Sequence, residues 1–185
     1  MRINEQDIKQ LYQKDKVAQL YDQTRFTSLL GKLGHEIEIQ SINNILSSMR
    51  PQKILEIGAG TGRIARNLCH IKQGVAVDSS EAMLAELKKN LAEDTWSVLH
   101  ADIFKLPFKQ KEFDAVITFR LIRHFVKDYR IQAYKEIHRV LQEDGVLIFD
   151  VLNKHRGALG FLADAATRVM ANMRGFQKAV YDAYF

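Results

Sequence analysis

The stretch Ile54-Leu55-Glu56-Ile57-Gly58-Ala59-Gly60-Thr61-Gly62-Arg63-Ile64 joins an apolar run to a glycine-dense turn, with an acid two residues before the first glycine. Ile54, Leu55 and Ile57 read as a strand buried on both faces, as in a parallel sheet, and residues 63–69 read as the helix that follows. Glycines at 58, 60 and 62 open backbone conformations closed to other residues and allow a ligand close to the main chain. This is a cofactor loop of nucleotide type. A dinucleotide fingerprint needs glycine at the sixth loop position, where this chain has Arg63. Glu56 argues the same way, because a carboxylate at the strand end would repel a pyrophosphate at the helix N-terminus. It suits a cation, such as the ammonium of a methionine moiety.

Working outward, Val75-Ala76-Val77-Asp78 is a second strand ending in an acid about 20 residues after Gly58, the place for a carboxylate that accepts ribose hydroxyls. Ser79 or Ser80 caps a helix through Glu81, Met83, Leu84 and Leu87. A third strand runs from Trp96 to Ile103 with Asp102 near its end, and a fourth from Phe113 to Arg120 leads into Leu121 and His124. Residues 137–145 read as a helix end and turn, and 146–151 as a fifth strand. This alternation predicts an α/β fold, a doubly wound, mostly parallel, Rossmann-like sheet with ligands at the carboxyl ends of its strands. Gly58 to Gly62, Asp78, Asp102 and Phe119 all fall at those ends.

On these segments the chain resembles the class I S-adenosylmethionine (SAM) dependent methyltransferases that act on small molecules, whose first motif reads acid-x-Gly-x-Gly-x-Gly. The resemblance covers most of the chain; Glu143-Asp144-Gly145 stands where the family usually has Pro-Gly-Gly. It implies SAM as cofactor. Glu56 and the loop Gly58, Ala59, Gly60, Thr61 and Gly62 would hold the methionine end, Asp78 with Ser79 the ribose, and Asp102 with Ile103 the adenine. Phe119 and Arg120 would border the sulfonium, and Met83 would pack on adenine or in the core. Tyr21 and Arg25 lie in a segment similar to the family's N-terminal lid, although packing explains Tyr21 equally well. His124 is the candidate catalytic base for an acceptor that must lose a proton, with capping or packing as its alternative. Arg120 and Arg123 would meet an anionic acceptor or simply be solvated.

The 185 residues predict one SAM-binding domain, with lid helices in 1–32, the α/β core in 33–151 and a helical segment in 152–185. A core helix over 33–49 stops at Pro51, and a further helix is expected over 157–173. Too few residues follow for the family's final antiparallel strand pair. A shortened or truncated member is therefore expected, with an open sheet edge that invites homo-oligomers. Residues 1–13 are polar and no apolar run approaches the roughly 20 residues of a membrane span, so a cytoplasmic protein without a transmembrane segment is expected. Cys69 is the single cysteine, expected buried within the helix after the glycine loop, and the histidines show no metal-ligand spacing. The net charge of +5 comes from scattered basic residues, which makes nucleic acid an unlikely partner and a small-molecule acceptor the expectation. A SAM-binding module without catalysis and an RNA-directed methyltransferase are the competing readings, and a nicotinamide-dependent oxidoreductase is a weaker one.

Overall fold

The computed structural model of the chain describes residues 18, 20–21, 28–91, 94–151 and 170–172. Strands β1 (Lys53–Ile57), β2 (Gln73–Asp78), β3 (Trp96–His100), β4 (Phe113–Thr118), β5 (Leu141–Phe149) and β6 (Met170–Asn172) form one sheet in the order β3-β2-β1-β4-β5-β6. Neighbours are parallel except β6, which runs antiparallel to β5. The central strand is β1, and Ile54, Leu55 and Ile57 are buried as the apolar run requires.

Helices cover both faces. Ile42 and Leu46 of α1 (Leu29–Met49) pack with Ile54, Ala115, Ile117 and Ile148. Leu84 and Leu87 of α2 (Glu81–Asn90) pack on Ala76 and Trp96. Tyr134, Ile137 and Val140 of α3 (Lys127–Val140) join Leu55, Ile57, Val116 and Leu147 on the other face. Each such buried side chain contributes about 1.5–3 kcal/mol, so the apolar sides of the helices fix the layer order.

Several predicted boundaries shift. Helix α1 begins at Leu29, because the Ser28 hydroxyl accepts from the Gly31 amide at 3.1 Å and overrides the weak helix signal of Gly31 and Gly34. The predicted lid–core boundary at 32/33 therefore falls inside this helix. It stops as predicted, with Arg50 left-handed (φ 50°) ahead of Pro51. The helix predicted over 63–69 is only a 3-10 turn, Ala65–Asn67. Asn43 on α1 takes its backbone groups: Asn43 Nδ2 donates to Asn67 O at 3.0 Å and Cys69 N donates to Asn43 Oδ1 at 2.8 Å. Cys69 is consequently exposed, not buried.

The third strand ends at His100 instead of Ile103, and Asp102 heads a turn in which Lys105 N donates to Asp102 O at 3.0 Å. The fourth strand ends at Thr118. The turn predicted at 143–145 is absorbed into β5 as an irregularity: Phe113 pairs with Leu141, but Ala115 pairs with Val146.

Where helix was predicted up to residue 173, Met170–Asn172 is strand, satisfying the edge hydrogen bonds of Val146 to Ile148. The rest of the expected 157–173 helix lies outside the described residues. So does most of the N-terminal lid, including Arg25, although Ala18, Leu20 and Tyr21 are helical. No helix among the described residues is long and apolar enough to cross a membrane.

Candidate functional site

The glycine loop is locked to the end of β2 by Gly58 N and Ala59 N, which donate to Val77 O at 2.9 and 3.0 Å. Gly58 has φ +71°, and a Cβ there would lie 2.9 Å from Leu121 Cδ2. Gly60 also has positive φ, +57°, but its missing Cβ would face open space within 4 Å. Gly58 thus serves packing as well as backbone freedom, whereas Gly60 leaves room for a ligand. Ala59, Thr61 and Gly62 are buried; they shape the loop without lining the cleft.

Asp78 leaves β2 facing this loop. Its Oδ2 accepts from Gly60 N at 2.8 Å and its Oδ1 from Ser80 N at 2.9 Å. Burial raises its pKa above the ordinary value, and the N–H groups of Ser80, Gly60 and Ser79 oppose that shift. Of the two serines proposed as the cap of α2, Ser80 fills the role: its hydroxyl accepts from Met83 N at 3.2 Å. Ser79, Ser80 and Met83 line the cleft beside Asp78, and so does Tyr21.

Glu56 lies apart from the cleft lining. It is 2% exposed, and burial pushes its pKa up to about 8 against the lowering effect of Arg63. Its Oε2 has no hydrogen-bond partner. Arg63 is itself 6% exposed. Its Nη1 donates to His35 Nδ1 at 2.7 Å and pairs with Glu38 Oε2 at 2.8 Å. Glu38 also approaches Arg120 at 3.7 Å, so α1 ties the glycine loop to the β4 side of the cleft. Nothing local in the sequence around His35 or Glu38 signals this role.

The opposite wall comes from the segments after β3 and β4. Ala101, Asp102 and Ile103 line it, with Asp102 Oδ1 accepting from Phe104 N at 3.1 Å. Phe119, Arg120, Leu121, His124 and Phe125 complete it. Arg120 is left-handed at φ +61°, held by its N–H to Asp150 Oδ1, and Arg123 stands 3.8 Å from Asp150 Oδ2. Sequence reasoning missed Ile57, Ser80, Ala101, Leu121 and Phe125 as lining residues, although each adjoins a motif it had singled out. Among the described residues no group of three His, Cys, Asp or Glu could hold a metal.

The methyltransferase domain family matches residues 55–149 of this chain. An uncharacterized methyltransferase of Oceanobacillus iheyensis is 30% identical over 137 residues, which cover 71% of this chain and 62% of that protein. A demethylmenaquinone methyltransferase of Chlamydia pneumoniae is 31% identical over 147 residues, 78% of this chain and 60% of that protein. Among solved structures, a SAM-dependent methyltransferase of Thermotoga maritima is 27% identical with a TM-score of 0.55, covering 76% of this chain and 61% of that one. The chain thus spans 62% and 60% of the lengths of the two sequence relatives.

Proposed function

The chain belongs to the methyltransferase domain family, and from that premise we propose that it transfers a methyl group from SAM to a small-molecule acceptor. The observation that carries this reading is the convergence of Gly60, Asp78, Asp102 and Phe119, distant in sequence, on one cleft at the carboxyl ends of the strands. The residues suit the donor. Gly60 leaves open space beside its main chain, and Asp78 is fixed by two N–H donors yet keeps lone pairs for ribose hydroxyls.

When bound, SAM supplies a methyl already activated on a sulfonium, so the protein's tasks are alignment and exclusion of water. In this reading Gly58 and Gly60 admit the methionine end, Asp78 with Ser79 accepts the ribose, and Asp102 accepts the adenine amino group beside Ile103. Met83 packs on the adenine, Phe119 and Arg120 border the reacting centre, and Tyr21 covers it. Glu56 would reach the methionine ammonium only through its unpartnered Oε2; Ala59, Thr61 and Gly62 hold the loop's shape.

A small acceptor is favoured because Phe119, Leu121 and Phe125 make the wall apolar. The nearby cations Arg120 and Arg123 already stand 3.7 and 3.8 Å from Glu38 and Asp150, which suits a phosphate backbone poorly. An apolar ring compound, of the kind that one relative's name specifies, fits this wall. His124 lines the same cleft and in this reading would take a proton from such an acceptor's hydroxyl or acidic carbon. The test is transfer of label from methyl-labelled SAM to a demethylmenaquinone analogue and to a metabolite extract. Labelled product that His124→Ala reduces by about 10²-fold or more, with SAM affinity unchanged, supports both the reaction and the base. Bound SAM without labelled product from either source would leave a binding module.

A further inference from the structure

We propose that Arg139 and Glu136 are positioning residues for the adenine side of the cleft, holding the β3–β4 crossover so that Asp102 presents its carboxylate to the donor. The proposal rests on the donor placement just given.

Asp102 sits in the crossover 101–112, which contains no helix and whose backbone groups therefore need partners from elsewhere. Helix α3 supplies them. Arg139 Nη1 donates to Phe108 O at 2.7 Å and Nη2 to Leu106 O at 3.0 Å, while Leu106 N donates to Glu136 Oε1 at 2.8 Å. The two side chains are locked to each other, Nε to Oε2 at 2.9 Å and Nη2 to Oε1 at 2.7 Å. The end of the crossover docks on the same helix end, where Lys111 N donates to Arg139 O at 2.9 Å and Glu112 N to Val140 O at 2.8 Å. The Arg139 hydrogen bond, opposed by partial burial, holds the Glu136 carboxyl below its ordinary value.

The clamp reaches Asp102 through a short, closed path. Ile103 within the turn and Leu106 directly after it are 5% and 4% exposed, so the turn is plugged into the core at both residues. The turn itself is closed by Lys105 N to Asp102 O at 3.0 Å and Phe104 N to Asp102 Oδ1 at 3.1 Å. Movement at Leu106 is therefore passed to the Asp102 carboxylate instead of being absorbed by slack. Only a guanidinium fork serves two carbonyls and a carboxylate at once; a lysine ammonium cannot reproduce it.

A ligand pair separates positioning from bulk stability. S-adenosylhomocysteine carries the adenine amino group, and S-inosylhomocysteine carries a carbonyl oxygen in its place. Dissociation constants for both would be measured by calorimetry on the full wild-type chain, D102A, R139A and R139K, each checked for folding by thermal melting. The wild type should prefer the adenosyl ligand by about tenfold, the worth of one hydrogen bond to a carboxylate. That preference should vanish in D102A, vanish in R139A with Asp102 still present, and shrink in R139K. A folded R139A that keeps the wild-type ratio while losing only stability overturns the proposal; if R139A does not fold, an unchanged ratio in R139K does so. A wild type that binds both ligands equally would instead sink the placement of adenine at Asp102, and the clamp's function with it.

Discussion

Asp78 and Asp102 are both half-buried acids at the carboxyl ends of adjacent strands, the first as the last residue of β2 and the second just past β3, yet they are held by different means. Asp78 is held by its own motif, through main-chain N–H groups of the glycine loop and of the residue that caps α2. Asp102 accepts from the Phe104 N–H of its own turn, and that turn is steadied by an ion pair on α3 more than thirty positions along the chain. One half of the cleft is therefore specified locally and the other by tertiary contact. Substitutions should divide accordingly.

The strongest break on the local side is Gly58→Val. A left-handed backbone costs about 1–2 kcal/mol for a residue with a side chain. Overpacking against Leu121 costs about 1–3 kcal/mol more. Chemical denaturation should show the combined loss, and SAM binding should disappear.

Next comes pH. Because burial raises the Glu56 pKa from 4.5 to about 8, the folded chain keeps a proton that the unfolded chain releases. The unfolded state then binds fewer protons, so stability should fall as pH rises from about 4.5 to about 8 and level off above, by on the order of 5 kcal/mol. Asp78, also raised, acts in the same direction. Melting curves at pH 5 and pH 9 should show the drop in the wild type and a much smaller one in Glu56→Gln; equal drops in the two would place the slope elsewhere.

Asp78→Ala should weaken SAM binding by about 1–3 kcal/mol through lost charge-assisted hydrogen bonds to the ribose. Asp102→Ala should cost about 1.5 kcal/mol, since it removes a single bond to the base. Calorimetry that ranked Asp102 above Asp78 would reverse the comparison. The smallest effect is Ser80→Ala, which removes the cap of α2 and should lower stability by about 1 kcal/mol in denaturant titrations.

The same division explains what the sequence could reveal. Strands β1, β2 and β4 were legible because each is an apolar run buried on both faces, and the acid and glycine positions follow from chain-local spacing. The 3-10 turn at Ala65–Asn67 was not legible, because the groups that end it belong to Asn43 on α1. Nor was the exposure of Cys69, which follows from that turn. The Glu136–Arg139 clamp leaves no trace in the crossover it holds, since an i,i+3 pair on a helix reads as a solvated face. Strand β6 likewise depends on the edge that β5 offers, whereas the local pattern favoured helix.

The most direct test of the account is calorimetric titration of the folded chain with SAM and, separately, with NAD. Saturable SAM binding with no heat from NAD is the expected result, because Arg63 replaces the third glycine of a dinucleotide loop while Asp78 and Gly60 keep the ribose side open. NAD binding, or a folded chain indifferent to SAM, would contradict it.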